Sequence, residues 1–157
     1  MRSKVIFLCT GNSARSQMAE GFLRAYAGSL FDVYSAGIQP KGSILPDVYA
    51  VMKERGLTLE GQFSKGVDEF LEQADFSHVI TVCSDAQENC PAVLLGIGMH
   101  EHWSFDDPAG FEGSPEARLN FVRTVRDKID RRIQEWLIGQ KITPQPLPDG
   151  VDGNAAS

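Results

Sequence analysis

Short apolar runs and longer amphipathic stretches alternate along the chain. Short runs rich in β-branched and apolar residues are typical of buried strands, and apolar residues spaced three or four apart are typical of helices. The pattern predicts strands at residues 4–8, 31–35, 78–82 and 99–105. It predicts helices at residues 16–27, 46–55, 67–73 and 115–137.

This alternation favours an α/β fold in which helices cover both faces of a parallel sheet. In such a fold the loops that follow the strands meet at one edge of the sheet, where ligands bind. Candidate chemistry follows three of the predicted strands: the loop that begins at Cys9, the segment that begins at Cys83, and the pair Asp106 and Asp107. We therefore expect these segments to lie at the same edge.

Length and composition indicate one domain. The chain has 157 residues, of which 42% are hydrophobic, and this is enough to bury a substantial core. We predict a single domain at residues 1–138. Residues 139–157 are rich in proline, glycine and small polar residues, and we predict a flexible tail there.

Charge and hydropathy exclude two classes of partner. The formal net charge of −6 disfavours a general binder of nucleic acid or of anionic membranes, because both need a basic face. No apolar run is long enough to span a bilayer, and the apolar run at the N-terminus is too short for a signal peptide. We expect a cytoplasmic protein with no nucleic-acid or membrane partner.

The segment CTGNSARS, from Cys9 to Ser16, connects the first predicted strand to the first predicted helix. Its interior consists of residues that are small or tolerate unusual backbone angles: Thr10, Gly11, Asn12, Ser13 and Ala14. Such a loop can turn its backbone N–H groups inward and bind an anion, and the following helix adds the positive end of its dipole. Arg15 can then grip a tetrahedral oxyanion with two parallel N–H groups.

Cys9 lies at the strand end of this loop, where positive partial charges favour the thiolate form of a cysteine. Ser16 can stabilise that thiolate by a hydrogen bond. An oxyanion held in the loop would lie against the nucleophilic sulfur. The alternative is a buried cysteine before an ordinary turn, but the spacing of Cys9 and Arg15 between a strand and a helix favours an oxyanion site.

A thiolate that attacks an oxyanion needs a proton donor for the departing oxygen. Asp107 can serve, because Pro108 restricts it to an extended conformation at the same predicted edge of the sheet. Asp106 is a rival for this role, and the sequence alone does not decide between the two carboxyl groups. An Asp-Pro pair that only forms a turn is the other interpretation.

The segments CTGNSARSQMAEGFLR and HWSFDDPAG resemble the low-molecular-weight tyrosine phosphatase superfamily, and within it the thioredoxin-coupled arsenate reductases. The resemblance extends to about Leu137. It implies a three-layer α/β sandwich with a central four-stranded parallel sheet. It also implies that the loop from Cys9 to Arg15 binds the oxyanion and that Asp107 is the general acid.

Three departures separate the chain from the phosphatase branch of that superfamily. Ala14 stands where those phosphatases usually have a second cysteine, and Ala109 and Gly110 stand where they often carry aromatic residues. The chain also has Cys83 and Cys90, with six residues between them. This spacing is too wide for a C-x-x-C motif but is compatible with a segment that closes into a disulfide.

The resemblance to the reductases implies arsenate as the substrate, with phosphate and sulfate as competitors. It implies that Cys9 attacks arsenic and that Cys83 then attacks the Cys9 sulfur, so that arsenite leaves. Cys90 would complete the relay as a Cys83–Cys90 disulfide. It also implies thioredoxin as the reducing partner, with NADPH upstream, while glutaredoxin or another thiol carrier stays open. We expect no tightly bound cofactor, and we expect a monomer.

Other interpretations remain open at this stage. A tyrosine phosphatase would use the same loop. A non-catalytic sensor of oxyanions or arsenite is disfavoured because the chain has no obvious basic DNA-binding segment. The three cysteines could also bind zinc with His100 or His102, but the closely paired cysteines typical of zinc sites are absent from the sequence. We expect His78 to be a strand residue in a satisfied environment, without a catalytic role.

In some related reductases a potassium ion lies behind the loop, held by groups that match Asn12, Glu20 and Ser35. A further acidic ligand is expected near Ser64, and this chain has Lys65 there instead. We therefore expect no dependence on potassium, with the Lys65 ammonium in the place of the cation and close to Glu20. The alternative is an exposed lysine that faces water.

Overall fold

A computed structural model describes the protein at residues 2–70, 76–82 and 99–148. The strands are β1 (Ser3–Cys9), β2 (Phe31–Gly37), β3 (His78–Thr81) and β4 (Met99–His102). The helices are α1 (Arg15–Ala27), α2 (Pro46–Lys53) and α3 (Pro115–Gly139), with single 3-10 turns at Val67–Phe70 and Pro108–Gly110.

The strands form one parallel sheet in the order β2-β1-β3-β4. In the register of the two central strands, Leu8 lies opposite Thr81, and on the other side Cys9 lies opposite Gly37. Because the strands are parallel, the ends of β1, β2 and β3 meet at one edge. The prediction of an α/β fold with a four-stranded parallel sheet is confirmed.

Side chains of β1 alternate between two hydrophobic cores, as the period of a strand requires. Val5 and Phe7 face a large core to which all three α-helices contribute. Ile6 and Leu8 face a smaller core, which is covered by the 3-10 turn Val67–Phe70 and by neighbouring apolar residues. Within the described ranges, no helix is both long and apolar enough to cross a bilayer.

Three predicted elements end differently from the sequence pattern. Helix α2 ends at Lys53 because the next N–H groups form tighter bonds to carbonyls three residues back. Where a helix over 67–73 is predicted, the structure has a single 3-10 turn that ends at Phe70, and residues 71–75 lie outside the described part. Strand β4 ends at His102 rather than at residue 105, because the chain there leaves the sheet and runs towards α1.

The first residues of the predicted tail make contacts with the domain. Ile142 and Leu147 pack against the large core, and the N–H of Gln145 donates a 2.8 Å hydrogen bond to the carbonyl of Tyr26. Residues 149–157 lie outside the described part. The boundary at residue 139 and the flexibility of the tail stay predictions.

Candidate active site

The loop between β1 and α1 is the centre of the candidate site. Cys9 is the last residue of β1, and Arg15 is the first residue of α1. Both side chains are buried, with 2% of Cys9 and 3% of Arg15 exposed. The sheet edge and the start of the helix thus place a thiol and a guanidinium at the two ends of one short loop.

Backbone hydrogen bonds on the outside of the loop fix the direction of its peptide groups. The carbonyls of Thr10 and Gly11 accept bonds of 2.9 and 3.0 Å from N–H groups in residues 39–41. In a trans peptide the N–H points away from the carbonyl, so the matching N–H groups face the inner side of the loop. The N–H of Asn12 accordingly points to the sulfur of Cys9, at 3.1 Å.

The sulfur of Cys9 lies within reach of two hydrogen-bond donors. Besides the N–H of Asn12, the Oγ of Ser16 lies 2.8 Å from it. The Nδ2 of Asn12 donates to the same hydroxyl oxygen at 2.8 Å, and the Ser16 hydroxyl donates to the sulfur whenever Cys9 is a thiolate, which can only accept. Two hydrogen-bonding groups therefore converge on the sulfur of the candidate nucleophile.

Asn12 also ties the loop to the body of the domain. It is fully buried, with φ of 50°, a left-handed conformation that asparagine tolerates better than most residues. Its Nδ2 donates to the hydroxyl of Ser35 at 3.0 Å. Its Oδ1 accepts from the backbone N–H of Lys65 at 2.8 Å and from Gln17 at 2.9 Å. These bonds hold the side chain that shapes the loop.

Gly37 allows β2 to approach the loop closely. A Cβ atom at this position would lie 2.6 Å from the carbonyl oxygen of Thr10 and 2.9 Å from the backbone nitrogen of Asn12. Both are backbone atoms, which cannot turn aside as a side chain can. Ala36 and Gly37 lie beyond the strand predicted at residues 31–35, but in the structure they belong to β2 and support the loop.

Arg15 and Asp107 meet at the mouth of the loop. The guanidinium of Arg15 donates to the carbonyl of Phe105 at 3.2 Å and lies 3.5 Å from the carboxylate of Asp107. That carboxylate also accepts a 3.0 Å bond from the N–H of Ala109, which fixes its orientation at the start of the 3-10 turn. Among the described residues, Asp106 makes no such contact with Arg15. The geometry therefore favours Asp107 over its neighbour.

The predicted partners of Cys9 in a relay, Cys83 and Cys90, lie outside the described residues. The chain approaches the loop just before them, because the N–H of Val82 donates a 2.8 Å bond to the carbonyl of Leu8. No group of three or more His, Cys, Asp or Glu side chains in residues 2–70, 76–82 and 99–148 is placed to hold a metal ion.

Sequence reasoning missed three residues of the site. Gln17 is buried and donates to the carbonyl and to the side chain of Asn12. The sequence indicated this role only by placing a polar residue next to Ser16 at the start of a helix. Phe105 contributes a backbone carbonyl, which no side-chain pattern indicates. The aliphatic stem of Lys41 lies against Gly11 of the loop, because a Cβ at Gly11 would lie 3.0 Å from the Lys41 Cγ.

Comparison with known proteins agrees with this geometry. The model of the family described as low molecular weight phosphotyrosine protein phosphatase matches residues 4–146. The chain belongs to the low molecular weight phosphotyrosine protein phosphatase family. Within this family, the arsenate reductase of Bacillus subtilis is 44% identical over 138 residues, which are 87% of this chain and 96% of the relative.

Solved structures of this family share the fold. A structure described as an arsenate reductase in the phosphate binding state superimposes with a TM-score of 0.72 at 31% identity, covering 87% of this chain and 98% of that one. The thioredoxin-dependent arsenate reductase of Corynebacterium glutamicum gives 0.67 at 29% identity, covering 89% of this chain and 62% of that one. The resemblance indicated by the two sequence motifs is thus confirmed.

Proposed function

We propose that the protein is an arsenate reductase that uses Cys9 as its nucleophile. The observation that carries the proposal is the convergence of two hydrogen-bond donors on the Cys9 sulfur inside an anion-binding loop, with Arg15 and Asp107 at its mouth. Support for arsenate as the substrate comes from the relative of Bacillus subtilis, which is named an arsenate reductase.

Arsenate binds in the loop as a tetrahedral oxyanion. The inward N–H groups and the start of α1 provide positive partial charge, and Arg15 provides a full positive charge in a buried setting. Phosphate and sulfate have the same shape, so they bind the same groups and compete. The stem of Lys41, which lies against Gly11, brings a further positive charge to the rim of the loop.

The first chemical step joins sulfur to arsenic. The thiolate of Cys9 attacks the arsenic atom, an As–O bond breaks, and Asp107 gives its proton to the departing oxygen, which leaves as water. The contact of Asp107 with Arg15 keeps the carboxyl group beside the bound oxyanion. The product is a covalent adduct in which arsenic remains in its oxidised, pentavalent state.

The reduction follows by thiol–disulfide exchange. The thiolate of Cys83 attacks the Cys9 sulfur, and the As–S electron pair stays on arsenic, which leaves as arsenite. Cys90 then attacks the Cys83 sulfur, so Cys9 is released as a thiolate and a Cys83–Cys90 disulfide remains. In sum, two thiols lose two electrons, arsenate becomes arsenite, and one water is released.

An external dithiol must reduce the disulfide before the next turnover. We propose thioredoxin, with NADPH as the upstream electron source, and the thioredoxin-dependent relative of Corynebacterium glutamicum supports this choice. Glutaredoxin is the alternative carrier. The relay starts from reduced cysteines, which the cytosol maintains, so a cytoplasmic location is part of the proposal. We also propose that the enzyme is a monomer.

Two assays on the same sample distinguish the reductase from a phosphatase. One follows NADPH oxidation by thioredoxin reductase and thioredoxin on addition of arsenate, and the other follows hydrolysis of p-nitrophenyl phosphate. A reductase gives arsenate-dependent NADPH oxidation that Cys83→Ser abolishes. Phosphatase turnover that survives Cys83→Ser, without NADPH oxidation by the wild type, would identify a phosphatase instead.

A further inference from the structure

A buried carboxylate lies directly behind the oxyanion loop. Glu20, on α1, is only 4% exposed. One of its oxygens accepts a hydrogen bond from the hydroxyl of Ser35, and the other forms an ion pair with Arg24 on the next turn of the helix. Ser35 in turn accepts a 3.0 Å bond from Asn12. The charge of Glu20 is therefore connected to the loop through two hydrogen bonds.

The side chain of Lys65 brings a second cation to Glu20. It is 8% exposed, and its Nζ lies 3.8 Å from the oxygen of Glu20 that Ser35 bonds. Nζ also donates a 2.9 Å bond to the carbonyl of Phe63 and lies 4.7 Å from the centre of that ring. Burial lowers the pKa of Lys65, the charge of Arg24 adds to this shift, and the carboxylates of Glu20 and Glu69 oppose it only in part.

The oxygens of Asn12, Glu20 and Ser35, which match the potassium ligands of some related reductases, do not fit a potassium ion in this protein. The Oδ1 of Asn12 already accepts from Lys65 and Gln17, and the hydroxyl of Ser35 lies between Asn12 and Glu20. A metal ion on Glu20 would share this carboxylate with the ammonium of Lys65, whose Nζ lies 3.8 Å from it. Two positive charges next to the same buried carboxylate repel each other. The groups that match the potassium ligands of related reductases therefore already accept hydrogen bonds from donors within this protein.

We propose that the Lys65 ammonium is the built-in cation of the oxyanion loop and positions Asn12 through Glu20 and Ser35. The backbone N–H of Lys65 reinforces this role, because it donates to Asn12 directly. Lys65 is a positioning residue, and the loop needs no metal ion. The inference rests on the oxyanion-binding role of the loop within the proposed function and does not require that arsenate be reduced.

The test measures phosphate affinity, so it stands apart from reductase activity. Phosphate binding is measured by calorimetry, and alkylation of Cys9 by iodoacetamide is followed by mass spectrometry, in potassium chloride and in choline chloride of equal ionic strength. Lys65→Met removes the charge and keeps most of the stem. Lys53→Met, at the exposed end of α2, is the matched control.

We expect Lys65→Met to weaken phosphate binding roughly tenfold, because a buried carboxylate loses a charged partner. Alkylation of Cys9 at pH 6 should slow in parallel, while Lys53→Met matches the wild type. The wild type should give the same values in potassium and in choline. A wild type that binds phosphate more tightly in potassium, or a Lys65→Met variant with unchanged affinity and alkylation, would overturn the proposal.

A rescue experiment separates the charge from general damage to the fold. Lys65→Ala leaves space behind the loop, and methylammonium or potassium ions can enter it. Either ion should restore part of the lost phosphate affinity in Lys65→Ala, and choline should not. If phosphate affinity in Lys65→Ala stays equally low in all three salts, Lys65 supports the loop by packing alone and the proposal fails.

Discussion

At the scale of single residues, Asn12 links the loop between β1 and α1 to the rest of the molecule. Its carboxamide donates to Ser16 and Ser35 and accepts from Gln17 and from the backbone of Lys65. A buried amide with all of these bonds made holds one conformation, since any other leaves polar groups unpaired. The position of the Cys9 sulfur is thus fixed from behind the loop.

Asp107 should act in the chemical step and not in binding. In Asp107→Asn, arsenite formation should fall by roughly a hundredfold, because the proton donor for the departing oxygen is lost. Phosphate affinity should be kept or rise, because a negative charge 3.5 Å from Arg15 disappears. Asp106→Asn is the matched control and should retain activity; the reverse result would transfer the role to Asp106.

Gly37 should be sensitive to the smallest possible side chain. A methyl group in Gly37→Ala would press on two backbone atoms of the loop, so phosphate affinity should fall about tenfold or more and the melting temperature should drop. Gly139→Ala is the control, because its Cβ would meet nothing within 4 Å. If calorimetry gives both variants the affinity of the wild type, the close approach does not shape the site.

Single residues of the loop were predictable because their chemistry is local. The thiol, the guanidinium and the small residues between them are neighbours in sequence, and the unusual backbone of Asn12 follows from its residue type. The hydrogen-bond partners of Asn12 were harder to predict, because the backbone N–H of Lys65 is 53 positions away in the sequence. A backbone carbonyl such as that of Phe105 leaves no trace in the sequence.

At the scale of elements, His78 on β3 shows how burial sets the state of a side chain. Its ring lies 5.0 Å from Trp136 and 6.4 Å from Phe31, edge to face. Its buried Nδ1 has no hydrogen-bond partner among the described residues, so the expectation of a satisfied environment is wrong. Burial lowers the pKa of His78 below its ordinary value of 6.5, and the carboxylate of Glu101 opposes this shift only in part.

The pH dependence of stability should report on His78. Below pH 6.5 the unfolded chain binds a proton at this residue and the folded protein does not, so stability falls as the pH decreases towards the folded pKa. Melting temperatures between pH 5 and 8 should decline less on the acid side in His78→Phe than in the wild type. His100→Gln, on exposed β4, should keep the decline; equal slopes in all three proteins would contradict the assignment.

Elements with clear periodicity were predicted well, and those shaped by tertiary contacts were not. The apolar runs of β1 and β3 and the long amphipathic pattern of α3 led to the observed strands and helix. The pattern over 67–73 satisfies a helix equally well, but only the turn Val67–Phe70 forms in the described residues. The end of β4 is set by the route of the chain towards Arg15, which no local pattern shows.

At the scale of the whole molecule, the C-terminal segment closes the large core. Ile142 and Leu147 are partly buried against it, so Leu147→Ala should lower the free energy of unfolding by about 1 kcal/mol, because apolar area returns to water. Thr143→Ala, an exposed neighbour, should have no effect. Urea denaturation checks both variants. If Leu147→Ala is as stable as the wild type, the C-terminal segment does not pack against the domain in solution.

The site as a whole is assembled from separate parts of the chain. Residues 9–16 provide the loop, residues 35–37 and 63–65 support it from behind, and residues 105–107 close its mouth. The parallel sheet predicted from the alternation of elements was enough to place the first and last of these at one edge. The support behind the loop was expected only from the resemblance to the reductases, because the local pattern of β2 and of residue 65 carries no catalytic motif; the structure bears out the expected approach of Lys65 to Glu20.

A single-turnover experiment shows whether the three cysteines reduce arsenate. Reduced protein is mixed with arsenate in the absence of any external reductant, arsenite is quantified, and disulfides are mapped by mass spectrometry. We expect about one arsenite per chain and a Cys83–Cys90 disulfide, with neither formed by Cys9→Ser. Wild-type protein that binds arsenate but releases no arsenite, with all three thiols still reduced, would contradict it.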